Sequence, residues 1–120
     1  MEVEVVMPYM GGRLSVNSMK IVRGGRRMCN FPEVDDWMDD LVEKVKYLRG
    51  KLKPPVRVHL FGRFSDKRHP DMHNLHKVVG DALQKGLGIN DKEILISDKG
   101  YNLGWPKQEI VITIEVPSED

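Results

Sequence analysis

Between Val34 and Leu48 the apolar residues Val34, Trp37, Met38, Leu41, Val42, Val45 and Leu48 recur at steps of three and four. That spacing places them on one stripe of a helix, and a stripe of this width has to be covered by another layer. Phe31-Pro32-Glu33 opens the helix, since Pro32 suits a first helical position and Glu33, Asp35 and Asp36 complement the positive end of the helix dipole. Lys44, Lys46 and Arg49 favour the other end, and Gly50 stops it. The acidic side chains opposite the stripe need no role beyond solvation.

The covering layer is written in alternation. Val3, Val5 and Met7 alternate with Glu2, Glu4 and Val6, so Glu2 to Pro8 reads as a strand. Val56, Val58 and Leu60 alternate with Arg57, His59 and Phe61 after the Pro54-Pro55 break, with Phe64 as a possible continuation. Ile94, Leu95 and Ile96 mark a short strand, and Ile110, Ile112, Ile114 and Val116 mark a last one. A second helix is predicted from about Met72 to Lys85. It buries Met72, Leu75, Val79, Ala82 and Leu83, has Val78 at the margin, and is closed by Gly86 and Gly88. Arg13 to Asn30 has no clean period and reads as a long loop or a loose hairpin around Arg23-Gly24-Gly25-Arg26; Asn102 to Pro106 reads as a turn. The order predicts an α+β fold: a single small domain over residues 1–120, a mixed β-sheet with two main helices packed on it.

Composition bounds the function classes. The chain of 120 residues is 40% apolar and 31% charged, enough for a modest core and unlike a disordered segment. No apolar run is long enough to span a bilayer, and the first residues lack a signal-peptide pattern, so a cytoplasmic protein without a membrane partner is expected. The single cysteine, Cys29, agrees with a reducing compartment and reads as a small, partly buried side chain. The net charge of +1 conceals blocks of opposite sign. Arg23, Arg26 and Arg27 are basic, the segment Glu33 to Glu43 is acidic, and Lys67 and Arg68 are basic again. Such blocks either make an ordinary solvated surface or gather into a positive face for a phosphate backbone.

The chemistry-bearing segment runs from Asp71 to Leu83 and resumes at Asn90-Asp91. On a continuous helix His73, Lys77 and Asp81 fall at i, i+4 and i+8, on a polar stripe facing away from the apolar one. Asp71 at the helix start either caps it or faces a cleft. Asp91 follows a glycine turn that can return the chain toward the helix. Carboxylates from two places with a lysine among them suit metal-assisted phosphodiester hydrolysis, because Mg2+ prefers oxygen donors and a lysine can balance charge on the transition state. The plain alternative is an N-cap, a surface ion pair and a turn residue.

The run Asp71-Met72-His73-Asn74-Leu75-His76-Lys77, then Asp81-Ala82-Leu83 and Asn90-Asp91-Lys92-Glu93-Ile94, resembles the signature of the RusA-like Holliday-junction resolvases. In that family an Asp-x-Asp-Asn-Leu-x-Lys run opens a helix that continues to Asp-Ala-Leu, and a short turn leads to an acidic pair. Ser15-Val16-Asn17, the Phe31 to Arg49 helix, Pro55-Val56-Arg57-Val58 and the final strand fit the same family, so the similarity extends over nearly the whole chain. The central run alone is specific.

The resemblance implies a metal-dependent endodeoxyribonuclease that cuts four-way DNA junctions as a homodimer and takes no small-molecule substrate. It implies Asp71, Asp91 and Lys77 as catalytic residues, with Asn74, Asp81 and Asn90 in support. Asp71 and Asp91, with His73, are the implied metal ligands. Arg23, Arg26, Arg27, Lys67 and Arg68 are the expected DNA contacts. His73 departs from the pattern, standing where the second signature aspartate would be. Imidazole is a poor Mg2+ ligand and a better one for Mn2+, so Mg2+ is the expected ion with Mn2+ as an alternative. A catalytically weakened junction-binding protein on the same fold is the competing expectation. Among the other candidates, His59 reads as packing or surface. His69 and His76 are weighed as partners of His73, but His76 falls on another face of a regular helix. Trp37 reads as core, Phe64 as core or DNA wedge, and Trp105 as loop anchor, stacking platform or interface.

Overall fold

The computed structural model describes residues 2–11, 14–15, 20–23, 27–67 and 70–116, and it has the expected α+β architecture. Its strands are β1 (Glu2–Pro8), β2 (Lys20–Arg23), β3 (Arg27–Asn30), β4 (Val56–Arg63), β5 (Ile94–Asn102) and β6 (Glu109–Glu115). Its α-helices are α1 (Pro32–Val45) and α2 (His76–Leu87). The main sheet has the order β1-β6-β4-β5. β6 pairs antiparallel with both β1 and β4, whereas β4 and β5 are parallel, so the sheet is mixed. Parallel neighbours need a long crossover, and α2 supplies it. β2 and β3 form a separate antiparallel hairpin, so of the two readings of that segment the hairpin is found.

One face of the sheet carries the core. Val5, Met7, Val58, Leu60, Ile94, Ile110, Ile112 and Ile114 are buried with Val34, Trp37, Leu41 and Val45 of α1 and Val78, Val79, Ala82, Leu83 and Leu87 of α2. The helices pack on each other, α1 against β1 and α2 against β5. Trp37 is core, as expected, and its indole Nε1 donates to the Pro8 carbonyl at 2.7 Å, fastening α1 to the end of β1. Phe64 is fully buried and meets Tyr9 edge to face, so it is core and not a wedge for DNA. Burial raises the Tyr9 phenol above its ordinary pKa.

The expected first helix gives way to a 3-10 turn at Lys46–Leu48 before Gly50, and two further backbone features, nearer the site, also differ from the sequence expectations. First, the second helix does not start at Met72. Met72–Leu75 is a 3-10 turn, and the α-helix begins only at His76. The Asp71 carboxylate accepts the His73 N–H at 3.1 Å, and the Asn74 N–H reaches the Asp71 carbonyl at 2.9 Å, which closes the tighter turn. Second, the strand expected at Ile94 to Ile96 runs on to Asn102, through residues with no apolar alternation. Edge position explains this: β5 is hydrogen-bonded along one side, to β4, so its later residues keep ladder bonds without a buried face. Leu60 pairs with Asp98 but Gly62 with Tyr101, so β5 holds an extra residue just after Asp98, where Gly100 has a φ of 99°. Glycine tolerates that backbone, and such bulges re-aim neighbouring side chains.

Candidate functional site

The geometry of the site follows from α2 lying along the edge strand β5. On β5, Ile94, Ile96 and Asp98 alternate onto the same face, the face that α2 covers. On α2, His76 and Gly80 are one turn apart, as are Lys77 and Asp81. Between them opens a cleft of about 260 Å3 lined by His76, Lys77, Gly80, Asp81, Asp91, Ile94 and Ile96. Gly80 keeps the wall low: a Cβ there would lie 3.6 Å from the Ile96 Cδ1, in ordinary contact across the gap.

Three of the expected residues meet in this cleft. Lys77 Nζ lies 3.0 Å from Asp81 Oδ1, with the two side chains 46% and 27% exposed, so the pair is solvated and free to exchange partners. Asp91 closes the opposite side and is exposed. Its backbone N–H donates to Gln84 Oε1 at 2.7 Å, which ties the turn after α2 back to the helix. Asn90 has a local task, its Oδ1 accepting the Lys92 N–H at 3.0 Å as a cap. Asn74 is half-buried in the 3-10 turn. Asp71 is exposed and caps that turn through one carboxylate oxygen.

His73 is placed differently from the sequence expectation. A continuous helix would have aligned it with Lys77 and Asp81. In a 3-10 turn residues three apart eclipse each other, so His73 comes over His76, with ring centroids 4.8 Å apart. The assignment of His76 to another face is thereby corrected. His76 Nε2 in turn lies 2.8 Å from Asp98 Oδ1. Donor atoms of His73, His76 and Asp98 all lie within 4.8 Å of one another; neither Asp71 nor Asp91 belongs to that set. Asp98 had no signal in the sequence beyond the glycine two residues later.

Of the expected DNA contacts, Arg23 ends β2 and Arg27 begins β3, paired with each other across the two strands, and Lys67 is exposed after β4. Arg26 and Arg68 lie outside the described residues, as does His69. Trp105 is partly exposed, with the Arg63 guanidinium 4.7 Å from its ring centre. His59 bridges strands on the face of the sheet away from the helices, with Nδ1 2.9 Å from Ser97 Oγ and Nε2 2.6 Å from Glu115 Oε2. Among the described residues no helix is long and apolar enough to cross a membrane.

No protein-family model matches this chain, and no curated protein matches it.

Proposed function

We propose that the chain is a metal-dependent, structure-selective endodeoxyribonuclease of the RusA-like kind, acting on four-way DNA junctions as a homodimer. The observation that carries this reading is the cleft in which Lys77, Asp81 and Asp91 come together from α2 and the turn beyond it. Asp81 and Asp91 offer hard oxygen donors to one space, which is the donor type Mg2+ takes. Asp91 and Asp71 are the residues the family motif marks for the ion, and Asp71 retains a carboxylate oxygen beyond the one that caps the turn. A bound divalent ion would polarise a phosphodiester and lower the pKa of a water. Lys77 would leave Asp81 for the phosphate and balance the charge that builds on its oxygens. Asp81 holds the lysine at the mouth of the cleft until then. The hairpin bearing Arg23 and Arg27, with Lys67, would track the backbone of a duplex arm. Paired cuts across a junction need two such clefts, hence a two-fold dimer.

A second reading is favoured by one observation: the ring of His73 sits over His76 at the position where the motif carries an aspartate. With that carboxylate missing, Mg2+ has fewer hard donors, and the chain would bind junctions with weak or absent cutting.

Labelled four-way DNA, incubated with purified protein and Mg2+ or Mn2+ in parallel, tests both readings. The nuclease reading expects symmetric nicks, stronger with Mn2+, that increase with Mg2+ in His73→Asp and disappear in Asp91→Asn. Junction binding without nicks in the parent, with nicks gained in His73→Asp, is the outcome of the second reading; junction binding without nicks in either removes the metal-site assignment. Absence of binding overturns both.

A further inference from the structure

We infer that His73, His76 and Asp98 form a binding site for a first-row transition ion of the Zn2+ class, separate from the carboxylates of the cleft. Two imidazoles and one carboxylate are a recurrent donor set for such ions, and a poor one for Mg2+ or Ca2+.

Three features of the fold build the site. The 3-10 turn eclipses His73 and His76, so two nitrogens are offered from adjacent positions of one short segment. β5 delivers Asp98 from a different part of the chain, on the strand face that α2 covers, immediately before the bulge that contains Gly100. The Asp71 cap then fixes the turn that carries His73.

The distances suit an ion. Ligands about 2.0–2.2 Å from a tetrahedral ion lie roughly 3.3–3.6 Å from one another. His76 Nε2 and Asp98 Oδ1 are 2.8 Å apart, so they would open slightly. The widest separation in the set is 4.8 Å and would close by rotation of His73, which is exposed and able to turn. The hydrogen bond between His76 and Asp98 matters for the apo protein too, since it holds one imidazole and the carboxylate in place before an ion arrives. Three protein donors leave a fourth position for water or another small ligand, the arrangement of an open and not a closed zinc site.

His76 also lines the cleft, so an ion on this triad stands at one end of the space that holds Lys77, Asp81 and Asp91. It adds positive charge where a phosphate would enter. That role rests on the nuclease reading; the binding of the ion does not.

The test is titration of the metal-free full chain with Zn2+ and with Co2+, followed by calorimetry, the visible absorption of Co2+, and the histidine ring signals in NMR. The expected result is one ion per chain, with Zn2+ shifting the rings of His73 and His76 and leaving His59 unmoved. His76→Ala and Asp98→Ala should each weaken binding by more than about tenfold, and His59→Ala should not. All three replaced side chains are at least partly exposed, so the variants should fold, and the wild-type NMR reading needs no variant. Lack of stoichiometric binding at micromolar ion, or equal weakening by His59→Ala, overturns the site. Ion binding by a chain that leaves junction DNA uncut keeps the site and removes the nuclease reading. Mg2+-dependent cutting by Asp98→Ala, without any Zn2+ binding by the parent, does the reverse.

Discussion

His76 Nε2 and Asp98 Oδ1 stand 2.8 Å apart although they are 22 positions apart in the chain, which makes this pair a polar link between the start of α2 and the edge strand β5. The side chains are 26% and 32% exposed, so without an ion the pair contributes only ~0–1 kcal/mol. Asp98→Ala should therefore melt close to the parent in chelator. With Zn2+ at about a hundred times its Kd, the parent should gain about 2.7 kcal/mol and the variant should gain nothing. Thermal unfolding with and without Zn2+ measures the difference.

On the nuclease reading Asp71 would have two separable tasks. Its Oδ1 caps the 3-10 turn, a bond that an asparagine oxygen can also make. Asp71→Asn should keep stability within a few tenths of a kcal/mol and abolish junction cleavage, while Asp71→Ala should cost about 1 kcal/mol in addition. Denaturant melts beside a cleavage assay separate cap from catalysis. Equal activity in Asp71→Asn and the parent would remove Asp71 from the catalytic set.

The helices approach each other closely at Gly86. A Cβ there would stand 2.6 Å from Val45 Cγ2 and 3.3 Å from the Val42 Cα, with backbone on the far side. Gly86→Ala should destabilise by about 1–3 kcal/mol despite the better helix propensity of alanine. Gly80→Ala meets only Ile96 at 3.6 Å and should gain up to about 1 kcal/mol. It also narrows the cleft, so greater stability should come with weaker cleavage. Urea unfolding and the junction assay, run on the same two variants, check both halves.

Much of the fold was legible because its core obeys simple periods. The stripe from Val34 to Val45 and the alternations at Val56 to Leu60 and Ile110 to Ile114 each mark an element that buries one face. Lys77 and Asp81 were legible for the same reason, being one turn apart on a regular helix. The placement of His73 and His76 departs from the sequence expectation where backbone hydrogen bonds override periodicity. Nothing in the side-chain pattern of Met72 to Leu75 says that the turn is tighter than α, and that single change moves His73 from Lys77 to His76. Asp98 was missed because its strand extends past its apolar residues on ladder bonds alone, which leave no periodic trace. Its partnership with His76 is tertiary and has no local signature.

Lys77 and Asp81 predict a stability result opposite in weight to their chemistry. An exposed i, i+4 pair is worth about 0.3–0.5 kcal/mol, so Lys77→Met should melt near the parent. If Lys77 is the cation that balances developing phosphate charge, as the nuclease reading has it, its removal should lower cleavage about a hundredfold or more. Single-turnover rates on junction DNA, at protein concentrations that saturate binding, give the comparison.

Tyr9 predicts an alkaline signature. Burial raises its pKa above the ordinary 10.0, so the folded chain keeps the phenolic proton to a higher pH than the unfolded chain does. Its contribution is whole below the unfolded value and is lost as pH climbs through the folded one. Stability should fall more steeply above about pH 10 in the parent than in Tyr9→Phe. Chemical denaturation at a series of alkaline pH values checks it.

The pairing of β1 with β6 sets Glu2 against Glu115 and Pro8 against Glu109. During synthesis the first strand therefore waits for almost the entire described chain before its ladder can form. The helices and the β4–β5 pair can collapse earlier, but β6 lies between β1 and β4 and must slot in before the sheet is whole. Such long-range closure makes folding slow compared with a helical bundle of equal length. Until β6 arrives, Val3, Val5 and Met7 lack their ladder partner, an apolar segment open to a chaperone or a neighbouring nascent chain.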